Sequence, residues 1–401
     1  MNNKDAAIKI VKVLRRNGYQ TLLAGGCVRD MLLHRLAKDY DVATNAQPKE
    51  IIRLFDRTLK VGAKFGVVIV LLDDTQVEVA TFRAEADYSD GRHPQKVSFT
   101  NAANDAARRD FTINGMFYDP VEKKIIDFVG GRVDLKKKII RTIGRPEERF
   151  GEDYLRMLRA IRFSAQLGFK IDSKTYAAIR KNASSITKIS GERIAAELEG
   201  ILTGYNKADG VSNLLKSGLA KAIFPDFPVK QIKTAIKVLS RLPRDISFPL
   251  GLSALFADCT TAFAMKKISV LKLSRNQAKH IKFLLDSRGR LLDEDMALAE
   301  FKMLLTEPHF HDLYDFQMAI LKAAGKSINL LVKFNKRIKK LGNIELKPKP
   351  LLDGHELIGL GALPGPDLGR LARQLYIAQL NLEIHTKEDA EQWVRNRLNK
   401  N

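Results

Sequence analysis

The chain has 401 residues, 45% of them hydrophobic, enough for a buried core and more than one ordinary domain uses. Lys and Arg number 68 against 46 Asp and Glu, and the formal net charge of +22 favours a polyanionic partner without telling RNA from DNA or an anionic membrane surface. Cys27 and Cys259, the two cysteines, exclude a disulfide framework and a cysteine metal cluster, and no apolar run approaches the roughly 18 residues of a membrane span, so a soluble cytoplasmic protein is expected.

Residues 5–18 follow an amphipathic helical pattern through Ala6, Ile8, Ile10, Val11, Val13 and Leu14, ended by Gly18. Residues 21–24 read as a short buried strand, 28–36 as a helix after two glycines, 39–43 as extended chain, and 48–55 as a helix with proline near its start. The apolar run 67–72 and the run 77–82 read as strands around a turn at 73–76. Residues 84–98 are polar without periodicity and read as a loop. From about residue 150 the pattern turns helical, first through Leu155, Leu158, Ile161, Arg162 and Ala165. A second helix is expected over 190–202, with Ser190 as its cap and Glu192 in its first turn. Helical segments fill 208–340, the proline-bearing stretch 346–350 reads as a linker or hinge, and the glycine-punctuated remainder reads as a short helical cap. The expected architecture is an α/β head followed by an all-helical body and tail.

Four segments carry chemistry. In extended chain, residues two apart point to the same side, so Asp39 and Asp41 would form one oxygen-rich site of the kind Mg²⁺ prefers. Asp-x-Asp is also common in turns and caps. The upstream Gly25-Gly26 lets backbone approach a phosphate closely. Glu78, between Val77 and Val79, is either a third acid beside that site or a solvent-facing residue on the open side of the sheet. In Arg108-Arg109-Asp110-Phe111-Thr112-Ile113-Asn114, two guanidiniums followed by Asp and Asn suit phosphate and ribose contacts. Asp153, Arg156, Arg159 and Arg162 are spaced by three, which on a helix keeps them near one face. Asp only accepts and Arg only donates, so side by side they can present a base-like pattern, and three arginines to one acid favour an anionic ligand.

In this order and spacing, Gly-Gly-x-Val-Arg-Asp, Asp-x-Asp, Arg-Arg-Asp-Phe-Thr-Ile-Asn and Glu-Asp-x-x-Arg closely resemble the class II nucleotidyltransferases, meaning the bacterial-type tRNA CCA-adding enzymes and their poly(A) polymerase relatives. The resemblance is strong over residues 20–203 and looser over 351–397. It implies a nucleotidyltransferase-type mixed sheet with helices, then an all-α neck, body and tail: a head at 1–135, a neck at 136–203, a helical body at 204–345 and a tRNA-binding tail at 346–401. It implies that Asp39 and Asp41 bind two catalytic Mg²⁺ ions, with Glu78 as the third acid. Gly25, Gly26 and Arg29 would meet the triphosphate; Arg109, Asp110 and Asn114 the sugar and phosphates. Asp153 and Arg156 match a protein template that pairs with the incoming base, and Arg159 and Arg162 complete the nucleotide site. Residues 136–144 resemble the hinge between head and neck.

The implied activity is addition of the 3′-terminal CCA to tRNA from CTP and ATP, without a nucleic-acid template and with pyrophosphate leaving. The basic helical region would grip the tRNA backbone by shape, with no membrane and no obligate protein partner. Poly(A) polymerase is the runner-up, but Val61-Gly62-Ala63-Lys64-Phe65-Gly66-Val67 and Tyr88-Ser89-Asp90-Gly91-Arg92-His93-Pro94 resemble the CCA-adding branch. That loop argues against a CC-only enzyme and leaves an A-only enzyme open. Asp258 lacks a neighbouring histidine and His311-Asp312 is isolated, so the paired metal motifs of a second, phosphohydrolase activity are not expected.

Overall fold

The structure is a computed structural model that describes residues 1–60, 65–88 and 94–399. It divides into two compact units, residues 1–228 with 266–273 and residues 229–265 with 274–401.

The first unit begins with helix α1 (Asn3–Arg16), capped by the Asn2 side chain, which accepts the Asp5 N–H. Its apolar stripe, Ala6, Ala7, Ile10, Val11 and Leu14, is buried and packs on a mixed sheet. Complete burial of one such Ile or Leu is worth roughly 1.5–3 kcal/mol, so this face, not helix propensity, holds the helix in place. In sheet order the strands are β3 (Thr58–Leu59), β4 (Val67–Leu72), β5 (Thr75–Thr81), β2 (Asp41–Thr44), β1 (Thr21–Ala24), β8 (Met116–Asp119) and β9 (Lys124–Asp127). Only β2 and β5 pair in parallel, with Val42 opposite Val79; the other neighbours are antiparallel. Between β1 and β2 lies α2 (Gly26–Leu32); α3 (Pro48–Leu54) follows β2. Leu22, Ala24, Ala43, Phe82 and Phe117 form a core with Ala102 and Ala106 of α4 (Ala102–Ala107).

The expected strands at 21–24 and 67–72 stand as read, and the turn before β5 contracts to Asp73-Asp74, with Asp73 at φ +51°. Three readings are corrected. The helix expected over 28–36 starts at Gly26 and stops at Leu32, so it leaves Leu36 almost fully exposed. Residues 84–98 are not a plain loop: β6 (Arg83–Tyr88) and β7 (Pro94–Phe99) form a separate two-stranded ribbon, in which Arg83 pairs with Phe99 and Glu85 with Val97. Alternation of alanine with charge gave no strand signal there, because a ribbon off the main sheet needs no apolar face. Strands β3, β8 and β9 were also missed; two to four residues are too short to show a period. The branch-specific residues 61–64 and 89–93 lie outside the described residues.

Beyond the sheet come α5 (Gly131–Lys137), β10 (Ile139–Ile140), α6 (Pro146–Glu152), α7 (Leu155–Leu167), β11 (Lys170–Ile171), α8 (Ser173–Asn182) and α9 (Gly191–Leu202). Strands β10 and β11 pair in parallel, joining the chain after α5 to the chain after α7. Helix α7 buries Leu155, Met157, Leu158, Ala160, Ile161 and Phe163 and turns its arginines the other way; Gly168 at φ +72° ends it. Ser190 occupies the N-cap position of α9, but its side chain makes no cap bond.

The second unit is helical, with helices at Val229–Leu239, Phe248–Leu255, Arg275–Asp286, Leu298–Leu305, Phe310–Ala323, Asn329–Leu341, Gly354–Gly359, Pro366–Leu380 and Lys387–Leu398 among its elements. The expected linker at 346–350 is pinned: Tyr376 Oη donates to the Pro348 carbonyl at 3.0 Å and Gln379 Nε2 to the Lys349 carbonyl at 2.8 Å. Leu352, Leu357, Leu375, Ile384, Ala390 and Val394 form a core for the C-terminal helices. No described helix is long and apolar enough to cross a membrane.

Candidate active site

Strand pairing explains why motifs far apart in sequence meet. Ala24 at the end of β1 lies opposite Asp41 at the start of β2, which sets the glycine pair beside the acids. On the other side of β1, Ala24 lies opposite Phe117, which brings the 112–116 segment alongside, and the Gly25 N–H donates to the Met116 carbonyl at 3.3 Å. Gly25 sits at φ +77°, and a Cβ there would lie 3.1 Å from Arg109 Nη1 and 3.9 Å from Asp41 Oδ2. Glycine is therefore required both by the backbone and by the close approach.

The result is a polar cleft of about 670 Å³ within the first unit, the size of a nucleotide site. Asp39, Asp41, Gly25, Gly26 and Arg29 line one part of it. Arg109, Asp110 and Asn114 line another, and Asp153, Arg156, Arg159 and Arg162 a third. All the residues expected to bind nucleotide or metal thus meet in one place. Sequence reading did not single out four further lining residues: Arg108 individually, Leu155, Phe163 and Arg193.

Asp39 lies just ahead of β2 and Asp41 is its first residue, and both are solvent-accessible. The Asp41 carboxyl is nevertheless pushed up to about 6, first by the protein packed round it and then by Glu78 and Asp39, with Arg109 opposing. Glu78 is not among the residues that line the cleft. It is exposed, and the β2–β5 register puts it on the same sheet face as Asp41, one step before the Val42–Val79 pair. The Asp39 and Asp41 carboxylates are hard oxygen donors of the kind a dication such as Mg²⁺ takes. Among the described residues no group of three or more His, Cys, Asp or Glu is arranged to hold an ion, so Glu78 does not complete a three-acid set with Asp39 and Asp41. Cys27, between the glycines and the acids, is no thiolate: burial and Asp41 push its thiol up to about 11.

The arginines are fixed before any ligand arrives. Asp110 is buried; its Oδ2 accepts from Arg159 Nε at 2.8 Å and Nη2 at 2.6 Å, and its Oδ1 from the Phe111 N–H at 2.7 Å and Asn114 Nδ2 at 3.3 Å. Burial would raise the Asp110 pKa, but the Arg159 guanidinium and these bonds outweigh it and hold it below the usual value. Asn114 Oδ1 accepts from Arg29 Nη1 at 2.8 Å. Asp110 and Asn114 thus spend their side chains on Arg159 and Arg29. Glu197, on α9, accepts from Arg162 Nε at 2.6 Å. The Phe163 ring gathers Arg29, Arg159 and Arg162, whose guanidinium carbons lie 5.3, 5.4 and 4.3 Å from its centroid.

One expectation is corrected here. Asp153 does not share a helix with the three arginines: it stands between α6 and α7 at φ −150°, and its Oδ1 accepts the Leu155 N–H at 3.0 Å. A carboxylate that satisfies a free N–H at a helix start is favoured outside the helix. Asp153 has a second partner. Its Oδ2 accepts from Arg193 Nη2 at 2.7 Å, while Arg156 donates to Glu152 and, at 2.9 Å, to the Arg149 carbonyl. Arg193 lies 40 residues from Asp153, on α9. Its Glu-Arg start of an apolar helix was the one available signal, and it reads as an ordinary cap.

The chain is similar to known proteins both in sequence and in fold. Residues 21–141 match the family described as the poly A polymerase head domain, and residues 168–230 that described as a probable RNA and SrmB-binding site of polymerase A. A CCA-adding enzyme of Lacticaseibacillus paracasei is 36% identical over 380 residues, 92% of this chain and 90% of that relative. The chain belongs to the CCA-adding enzyme family. One of Bacillus velezensis is 42% identical over 218 residues, so that match spans 54% of this chain and about half, 55%, of the relative. Among solved structures, the Bacillus stearothermophilus CCA-adding enzyme in complex with CTP superposes with a TM-score of 0.82 at 27% identity, covering 100% of this chain and 98% of that one. Family membership rests on identity over 92% of the chain; the cleft rests on the register of β1, β2 and β8 and on the bonds that tie α7 to Asp110.

Proposed function

We propose that the chain adds C, C and A in turn to the 3′ end of tRNA, using CTP and ATP and no nucleic-acid template. The observation that carries this is the single cleft whose lining holds Asp39 and Asp41 together with Asp153 and Arg156. Mg²⁺ ions held by Asp39 and Asp41 would lower the pKa of the RNA 3′-hydroxyl and neutralise the leaving pyrophosphate. Glu78 adds negative charge beside them. Arg29, Arg109, Arg159 and Arg162 bind the triphosphate, each preset by a protein partner, so little rotamer freedom is lost on binding. Asp153 offers an acceptor and Arg156 donors to the Watson–Crick edge of the base; Arg193 holds the first and Glu152 the second. Residues 1–135 and 136–203 supply this cleft, and 204–345 and 346–401 bear on the tRNA. The reaction belongs to the cytoplasm, where tRNA and both nucleotides meet.

The test uses one tRNA ending before CCA, before CA or before A, each incubated with Mg²⁺ and CTP, ATP or both. Completion of all three to CCA, and no further growth, is expected. Completion of only the last identifies an A-adding enzyme, a stop after CC a CC-adding enzyme, and a long A tail on unrelated RNA a poly(A) polymerase. Asp41→Ala should abolish addition while tRNA binding persists; retained turnover contradicts the metal reading.

A further inference from the structure

Asp105 stands apart from the chemistry above. It lies in α4 with 1% exposure, behind the arginine pair that reaches the cleft. Its Oδ2 accepts from Arg109 Nη2 at 2.9 Å and Nε at 3.2 Å. Its Oδ1 accepts from Arg108 Nε at 2.9 Å and from the backbone N–H of Arg83, the first residue of β6, at 3.2 Å. One buried carboxylate therefore spans both guanidiniums and the base of the β6–β7 ribbon. Burial would raise its pKa; Arg109 and Arg108 outweigh that and keep it below the usual carboxylate value, so it is ionised at neutral pH.

Arg109 carries this anchoring into the site. Its guanidinium carbon lies 5.0 Å from the Phe117 centroid, and its Nη1 occupies the space a Cβ on Gly25 would need. Unlike Arg159, whose partner Asp110 itself lines the cleft, Arg108 and Arg109 are held from behind by a group no ligand can reach. A long side chain tethered in this way loses little freedom when it binds a ligand.

We propose that Asp105 is a positioning residue, holding Arg108 and Arg109 ready for the triphosphate of the incoming nucleotide whichever base it carries. The proposal rests on the nucleotide reading of the cleft. Asp105→Asn keeps the shape and one acceptor oxygen but removes the charge. Calorimetric titration with CTP and with ATP, both with Mg²⁺, should show binding weakened about tenfold for each alike, the loss expected when charge-assisted bonds to a guanidinium are lost. At saturating nucleotide, kcat should fall much less. In an Arg108→Gln/Arg109→Gln background, adding Asp105→Asn should change affinity less than about twofold, since its effect passes through those residues. Wild-type affinity in Asp105→Asn overturns the proposal alone. So do an effect that multiplies with the arginine substitutions and a variant that fails to fold, both of which mark a purely structural role. Failure of the unaltered chain to bind either nucleotide overturns the reading of the cleft and this proposal with it.

Discussion

Asp41 meets conflicting demands. Its carboxyl stands at about 6 against an ordinary 3.8, because surrounding protein, Glu78 and Asp39 all disfavour its charge. A carboxyl with a raised folded pKa binds its proton more tightly folded than unfolded. The stability it contributes is complete below about pH 3.8 and is lost as the pH rises through about 6. Asp41→Asn is therefore expected to raise the melting temperature of the metal-free chain at neutral pH, with the gain shrinking as the pH is lowered toward about 4. Thermal unfolding across that range checks it, and a variant less stable at neutral pH would count against the account. The same residue shows what sequence can and cannot tell. Asp-x-Asp has many structural uses, and its chemistry became legible only beside the glycine, arginine and Glu-Asp motifs. That Asp110 and Asn114 serve Arg159 and Arg29 was hidden, because only the fold brings Asp110 and Arg159, 49 residues apart, to 2.6 Å.

At the level of elements, the cleft depends on how closely α7 and α9 pack. A Cβ on Gly200 would lie 2.4 Å from Arg162 Cδ and 2.9 Å from its Cγ, so α9 leaves room for the Arg162 stem only because residue 200 is glycine. Gly200→Ala should push Arg162 from Glu197, destabilise the chain by about 1–3 kcal/mol and weaken CTP and ATP binding. Urea unfolding and nucleotide titration read the two effects, and a variant unchanged in both would show that Arg162 has another resting place. Elements with an apolar stripe or run, such as α1, β4 and α7, were legible because burial imposes a period. The β6–β7 ribbon and the short strands β3, β8 and β9 were not, for want of that period. The spacing of Asp153, Arg156, Arg159 and Arg162 was read as one helical face, whereas α7 begins at Leu155 and leaves Asp153 to an N–H and to Arg193.

Across the whole molecule, a net charge of +22 is a statement about partners rather than fold. If the chain grips tRNA through about six to ten phosphates, affinity should fall by roughly 10³–10⁵ between about 50 and 200 mM salt, with a linear log–log slope. Filter binding of tRNA over that range tests it, and a flat response would place recognition in bases rather than backbone. The change from sheet to helix was legible from where strand-like runs give way to helical spacing, although it falls inside the first unit, which runs to residue 228; the partners of individual side chains were not. In the proposed function the cleft divides its labour: the acids at 39 and 41 make the bond, while Asp153 and Arg156 choose the nucleotide. The most direct test of this division supplies a tRNA lacking CCA, all four nucleoside triphosphates and Mg²⁺, and sequences the 3′ ends made by the unaltered chain and by Asp153→Ala/Arg156→Ala. CCA is expected from the first and indiscriminate addition from the second; CCA from both would show that the base is read elsewhere.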